Sequence, residues 1–233
     1  MKILILGGVH GNELLGIKLV KYLQANPIKG VDALIANPKA VERNIRFTEA
    51  DLNRSFGCKN VNNYELKVAY KLAKVFKKYD CVLDFHNTQS VNNDCLFIGK
   101  NASSQLKDFL PKLKLTRCVI ATYNCLNKVA GNAVSIEISE SSNLNGVSYW
   151  YKTIQNITNK EINNSNTIKI KYYRYIKRLT WQQKSKYNLN LQTFKPLSIK
   201  EKQLLNLSGI IVPIFVNSKL TEYYATLLKK ESK

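Results

Sequence analysis

Histidine and acidic side chains are what this chain is short of. It carries two histidines in 233 residues, and sixteen Asp and Glu against thirty-six Lys and Arg. Any imidazole chemistry must therefore run through His10 or His86. Cysteine is nearly as uninformative: the five residues Cys58, Cys81, Cys95, Cys118 and Cys125 are odd in number and contain no C-x-x-C pair. That excludes a disulfide framework and a zinc ribbon, and it fits a reducing cytoplasm. No apolar run approaches the ~20 residues that a membrane span needs, and there is no internal repeat or low-complexity tail. The opening MKILILGG has a short apolar run without a cleavage-site pattern, so it reads as a buried strand rather than a signal peptide.

What the chain has in excess is positive charge, a formal +20. A nucleic-acid partner or an anionic membrane surface is one reading of such a balance. The lysines are scattered through a background rich in Asn, Ile and Tyr, and no aromatic-basic RNA motif is visible. We therefore expect neither a membrane nor a nucleic-acid partner. A basic surface also draws in small anionic substrates.

Hydrophobic patterning gives the organisation. KILIL (2–6), ALIA (33–36), CVLDF (81–85), CLFIG (95–99), RCVIATY (117–123) and AVSIEIS (133–139) read as strands. Helical spacing follows Asn12 and recurs at 64–79 and near 103–113. Residues 40–60 lack clean periodicity and read as a long ordered loop. Strand and helix alternating in this way predict an α/β fold: a mixed, mostly parallel sheet flanked by helices. NKEINNSN (159–166) reads as a linker or turn. Beyond it the strand-like stretches KIKYYRYI (169–176), 188–194 and GIIVPIFV (209–216) predict a smaller β-rich C-terminal domain, with a helix near 221–230. The expected division is 1–157 for a catalytic α/β domain and 158–233 for the part covering the active site.

Both histidines follow strands. His10 lies in GGVHGNE (7–13), three residues before Glu13, and His86 lies in DFHNT (84–88). Ligands of open α/β sheets bind at the carboxyl edge of the strands, so the pattern brings both histidines and one carboxylate to one rim. Two His and one Glu form a catalytic zinc set, three protein ligands with a fourth position open. The loop NPKAVERNIRFTEADLNRSF (37–56) adds Arg46, Asp51, Asn53 and Arg54. An Asn-Arg pair beside a metal suits a substrate carboxylate, since the guanidinium fork matches it bidentately. A second Arg suits the oxyanion of a tetrahedral intermediate. Glu137, in the apolar strand SIEIS (135–139), is placed to act as a general base and then acid.

GGVHGNE, NPKAVERNIRFTEADLNRSF, DFHNT and SIEIS, in that order and spacing, resemble the aspartoacylase / succinylglutamate desuccinylase family, strongly over about residues 2–150 and more weakly at FKPLS (194–198) and VPIFVN (212–217). The resemblance implies a zinc carboxypeptidase-like fold and one zinc per chain held by His10, Glu13 and His86. It implies that Arg46 polarises the scissile carbonyl, that Asn53 and Arg54 grip the carboxylate of the amino-acid part, and that Glu137 moves the proton. Tyr123 and Tyr223 fall where the family carries substrate-pocket tyrosines, and Asp51 where a residue orients the loop or a ligand histidine. The family's aspartoacylases have an arginine ten residues before the catalytic glutamate. Here that position is Asn127, and the neighbouring Lys128 is the cation expected to substitute for it, without bidentate geometry.

The implied activity is zinc-dependent hydrolysis of an N-acyl amino acid, N-acetyl-L-aspartate first, in a cytoplasmic enzyme expected to form a homodimer. Two alternatives stand beside it. One is a metallocarboxypeptidase acting on peptide C-termini. The other is a basic binding protein derived from the same fold, for which the fifteen Lys and Arg against four Asp and Glu from residue 160 onward are the only warrant.

Overall fold

The computed structural model describes residues 1–123, 125–159, 168–217 and 223–231. Its strands are β1 (Ile3–Gly7), β2 (Val31–Ile35), β3 (Cys81–Thr88), β4 (Cys95–Gly99), β5 (Arg117–Ala121), β6 (Ala133–Ser139), β7 (Lys171–Thr180), β8 (Ile211–Ile214) and β9 (Tyr223–Lys230). They form one nine-stranded sheet in the order β2-β1-β3-β6-β4-β5-β7-β9-β8. β1, β2, β3 and β6 run parallel, as do β4, β5 and β7; the antiparallel joins are β4–β6, β7–β9 and β8–β9. The sheet is mixed and mostly parallel, with a strand-rich C-terminal region, as the patterning predicts.

Strand alternation explains the two layers of helix. Ile3 and Ile5 of β1 and Leu83 and Phe85 of β3 face one side, where they pack with Leu15, Leu19 and Leu23 of α1 (Leu14–Ala25) and Trp150, Ile154 and Ile157 of α7 (Val147–Thr158). Leu4, Leu6 and Val82 face the other side and meet Ala69, Leu72 and Phe76 of α4 (Tyr64–Phe76). Successive side chains of a strand point to opposite faces, so an all-apolar strand such as ILILG is stable only with both faces covered. Asn63 caps α4 by accepting from the Leu66 N–H, and Ser103 does the same for Leu106 at the start of α5 (Ser104–Phe109). Such caps satisfy backbone donors that the first turn leaves unpaired.

Two glycines set the height of α1 above the sheet. A Cβ on Gly7 would run into the Gly16 backbone of α1, and a Cβ on Gly16 would lie 2.9 Å from the Phe85 carbonyl oxygen. The helix rests directly on β1 and β3 because both residues lack one.

The C-terminal region departs from the expected helix near 221–230: Tyr223–Lys230 is strand β9, and residues 221 and 222 lie outside those described. Tyr224, Ala225, Leu227 and Leu228 have helix-like apolar spacing, but they are buried because β9 is sandwiched between β7 and β8. Likewise 188–194 is not a strand. Leu189 and Leu191 alternate as strand residues do, yet they sit in irregular chain anchored when the Leu191 N–H donates to the Tyr224 hydroxyl at 2.8 Å. The polar stretch 159–166 lies outside the described residues except Asn159. The 40–60 loop carries the end of one short helix, α2 (Pro38–Glu42), and the whole of another, α3 (Leu52–Ser55), and α7 went unread in the sequence. No cysteine is bonded: Cys58 is exposed and the other four are buried. Among the described residues no helix is long and apolar enough to cross a membrane.

Candidate active site

β1 ends at Gly7, and Gly8, with φ +69, turns the chain out of the sheet. A positive φ is costly for any residue with a Cβ. The turn delivers His10 and then Glu13, the residue that precedes α1. Glu13 makes no side-chain cap bond to its own helix, and its carboxylate turns to the histidines instead. Its Oε1 lies 2.6 Å from Nδ1 of His10, and its Oε2 lies 2.7 Å from Nδ1 of His86, which projects near the end of β3. All three side chains are buried.

The far nitrogens of both rings are also held. His10 Nε2 lies 3.2 Å from Asp51 Oδ1, and His86 Nε2 lies 2.7 Å from Asp84 Oδ2. A carboxylate on the outer nitrogen fixes ring orientation and raises ligand basicity, the usual arrangement behind a metal-ligating histidine. One ligand atom from each of His10, Glu13 and His86 can be chosen so that all lie within 4.8 Å of one another. The donor set and its outer carboxylates fit a metal ion. Burial pushes the Glu13 carboxyl up, but the two imidazoles outweigh it and hold it well below the usual range. Burial likewise opposes protonation of His86, yet Asp84 and Glu13 carry it well above an ordinary histidine.

The loop after β2 is tied down by Glu65. This fully buried carboxylate accepts from the Thr48 N–H and hydroxyl at 2.7 and 2.6 Å, and from the Glu49 and Ala50 N–H groups at 3.2 Å. The loop is thereby fixed where Arg46 reaches Glu13 at 3.4 Å and Asp51 at 3.3 Å. Asn53 accepts from the Leu126 N–H at 3.2 Å, and the Arg54 guanidinium lies 4.7 Å from the centre of the Tyr123 ring.

Glu137 and His86 are register partners on the adjacent parallel strands β6 and β3. Burial pushes the Glu137 carboxyl up to about 7, against the lowering pull of His86. A group poised there exchanges protons readily near neutrality.

These residues line one cleft of about 370 Å³. It contains His10, Glu13, Arg46, Asn53, Arg54, His86, Tyr123, Glu137 and Tyr223 from the sequence-based set, together with Asp51. Lys128 is not brought in: it is exposed on α6 (Leu126–Val129), and it is Asn127 that lines the cleft, donating to the Ser135 hydroxyl at 3.0 Å. Two residues escaped sequence reasoning. Asp84 stands two positions before His86, so strand alternation puts both on one face, and that signal was available. Arg178 of β7 also lines the cleft, and nothing in its sequence context marks it.

Known proteins resemble this chain in sequence and in fold. Residues 1–116 match the succinylglutamate desuccinylase/aspartoacylase catalytic domain. An N-acyl-aromatic-L-amino acid amidohydrolase (carboxylate-forming) of Xenopus laevis is 33% identical over 146 residues, covering 53% of this chain and 46% of the relative. Aspartoacylase of Mus musculus is 37% identical over 128 residues, 47% of this chain and 40% of the relative. The matched stretch thus spans less than half of either relative. The crystal structure of a succinylglutamate desuccinylase from Chromobacterium violaceum superposes with a TM-score of 0.76 at 16% identity, covering 100% of this chain and 85% of that one. Identity that low speaks to the fold, and the catalytic-domain match speaks to descent: the chain belongs to the succinylglutamate desuccinylase/aspartoacylase family.

Proposed function

We propose that the protein is a zinc-dependent amidohydrolase that cleaves the amide bond of an N-acyl amino acid, with N-acetyl-L-aspartate the first candidate substrate. The observation that carries this reading is the Glu13 carboxylate set between two histidines, each braced by a further carboxylate, with Glu137 in register beside one of them. The amidohydrolases among the relatives support the reaction class.

His10, Glu13 and His86 would hold the ion. Zinc in such a site supplies a Lewis acid that acidifies water and polarises a carbonyl. The chain's own groups do the rest. Glu137 takes a proton from the attacking water as its oxygen bonds to the carbonyl carbon. The Arg46 guanidinium, at the metal-ligand edge of the cleft, steadies the charge that develops on the carbonyl oxygen. Glu137 then gives the proton to the amide nitrogen as the C–N bond breaks, leaving a carboxylate and a free amino acid. Asn53 and Arg54 hold the α-carboxylate, and Tyr123 and Tyr223 form cleft walls that fix its direction.

The test is amine release by zinc-loaded protein from N-acetyl-Asp, N-acetyl-Phe, N-succinyl-Glu and a blocked dipeptide. Turnover of at least one N-acyl amino acid supports the proposal. Release of a C-terminal residue from the peptide alone would replace it with a carboxypeptidase.

A further inference from the structure

The cleft holds three arginines, and two of them are engaged with its acids. Arg46 bridges Glu13 and Asp51, and the charge of Arg54 acts on Asp51. Arg178 differs: among the described residues it forms no ion pair with an acid; its guanidinium lies 4.7 Å from the centre of the Tyr223 ring, and its charge acts on the Tyr123 hydroxyl. Stacking on an aromatic face holds a guanidinium plane in one orientation while leaving its N–H edge open to a ligand.

The backbone aims this residue into the cleft. Tyr175 pairs with Leu228 and Lys177 with Leu227, so β7 takes two residues where β9 takes one. Tyr175 and Arg178 are three apart, a spacing that puts side chains on opposite faces of a regular strand. The bulge adds the extra residue that brings Arg178 round, and both residues line the cleft, as do their partners Leu228 and Thr226. Bulges beside functional sites commonly re-aim a side chain in this way.

Charge balance points the same way. The three arginines of the cleft match its three carboxylates, Glu13, Asp51 and Glu137. With Asp84 behind His86 counted as a fourth carboxylate, a divalent ion would still leave the site one charge positive, which suits an anionic substrate.

We propose that Arg178 is a specificity-determining residue that binds a second carboxylate of the substrate, carried either on the amino-acid side chain or at the far end of the acyl group. The proposal rests on the amidohydrolase reading above. It assigns to Arg178 the cationic role expected of Lys128, which stands outside the cleft.

The experiment compares kcat/KM of zinc-loaded wild type, Arg178→Gln and Arg178→Lys on two matched pairs: N-acetyl-Asp against N-acetyl-Asn, and N-succinyl-Leu against N-butyryl-Leu. A charge-assisted contact predicts that the acid-over-neutral preference in one pair falls on the order of 10- to 100-fold in Arg178→Gln and less in Arg178→Lys. The pair that changes identifies which end of the substrate bears the second carboxylate. If both ratios keep their wild-type values in both variants, Arg178 does not read a carboxylate and the proposal falls. If Arg178→Gln does not fold, the ratios of Arg178→Lys decide alone, unchanged values overturning the proposal. If wild type turns over none of the four compounds, the amidohydrolase reading stands or falls on the N-acetyl-Phe and N-succinyl-Glu of the first panel, apart from the arginine. Calorimetric titration of succinate and butyrate then decides the arginine: selective loss of succinate binding in the variants keeps it, and unaltered binding overturns it.

Discussion

Glu137 stands directly across from His86 on the neighbouring parallel strand. Paired residues of adjacent strands present their side chains to the same face, so the sheet itself sets the Glu137 carboxylate next to the histidine proposed to hold the metal, with no loop to position it.

Glu137→Gln should lower kcat by roughly 10²–10⁴-fold, the range for loss of a general base, while the protein still binds one metal ion per chain. Burial raises this carboxyl from 4.5 to about 7, and a cation bound beside it would pull it back down. Glu137 must be ionised to accept a proton. The acid limb of kcat/KM should therefore fall as pH drops, with its midpoint between about 4.5 and about 7. A pH–rate profile beside a metal titration checks both halves. A limb that is absent, or a variant that loses its metal, contradicts the assignment.

Asp84 offers a cleaner test of the metal centre, because it lies behind His86. It meets His86 Nε2 at 2.7 Å and accepts from the Ser135 hydroxyl at 2.9 Å. Asp84→Asn keeps the shape but changes which ring nitrogen carries the proton. Metal affinity, read by competition with a chromophoric chelator, should drop about 10- to 100-fold. Unchanged affinity would mean that the outer carboxylate has no part in holding the ion.

Gly7→Ala tests the link between packing and chemistry. A methyl at Gly7 meets the Gly16 backbone, so α1 has to lift from the sheet, carrying Glu13 with it. Overpacking of this kind costs about 1–3 kcal/mol. Chemical denaturation should show that loss, and metal affinity should fall with it.

Glu65 predicts how the protein meets acid. Burial pushes its carboxyl up, but hydrogen bonds from Thr48, Asn37 and Glu49 outweigh this and hold it below its ordinary 4.5. A depressed folded-state value means that the stabilisation is complete above the unfolded value and is lost as pH falls through the folded one. The urea midpoint should therefore decline below about pH 4.5. Glu65→Gln should flatten that decline, and Glu65→Ala should cost about 3 kcal/mol at neutral pH by stranding several donors.

The site was legible where chemistry and strand pattern coincide. His10, Glu13 and His86 stand out because histidine is scarce and both copies follow apolar strands. Glu137 stands out as an acid in an apolar run. Arg178 was hidden because a register shift breaks the alternation by which a strand's faces are read. Lys128 stands apart from the cleft for a related reason: adjacency in sequence to Asn127 carries no direction, and on α6 the two residues diverge, Asn127 buried and Lys128 exposed. The core strands were readable for the same reason as the site, whereas β9 looked helical because its burial follows two flanking strands rather than one face. The bracing of residues 48–50 by Glu65 depends on backbone donors, which no side-chain pattern records.

The most direct test is a zinc titration of metal-stripped protein with hydrolysis of an N-acyl amino acid as the readout. The account predicts no turnover without metal and a rise that ends at one zinc per chain, with His86→Ala inactive across the titration at concentrations that saturate wild type. Turnover that survives chelation, or that His86→Ala retains, would contradict a metal centre built from His10, Glu13 and His86.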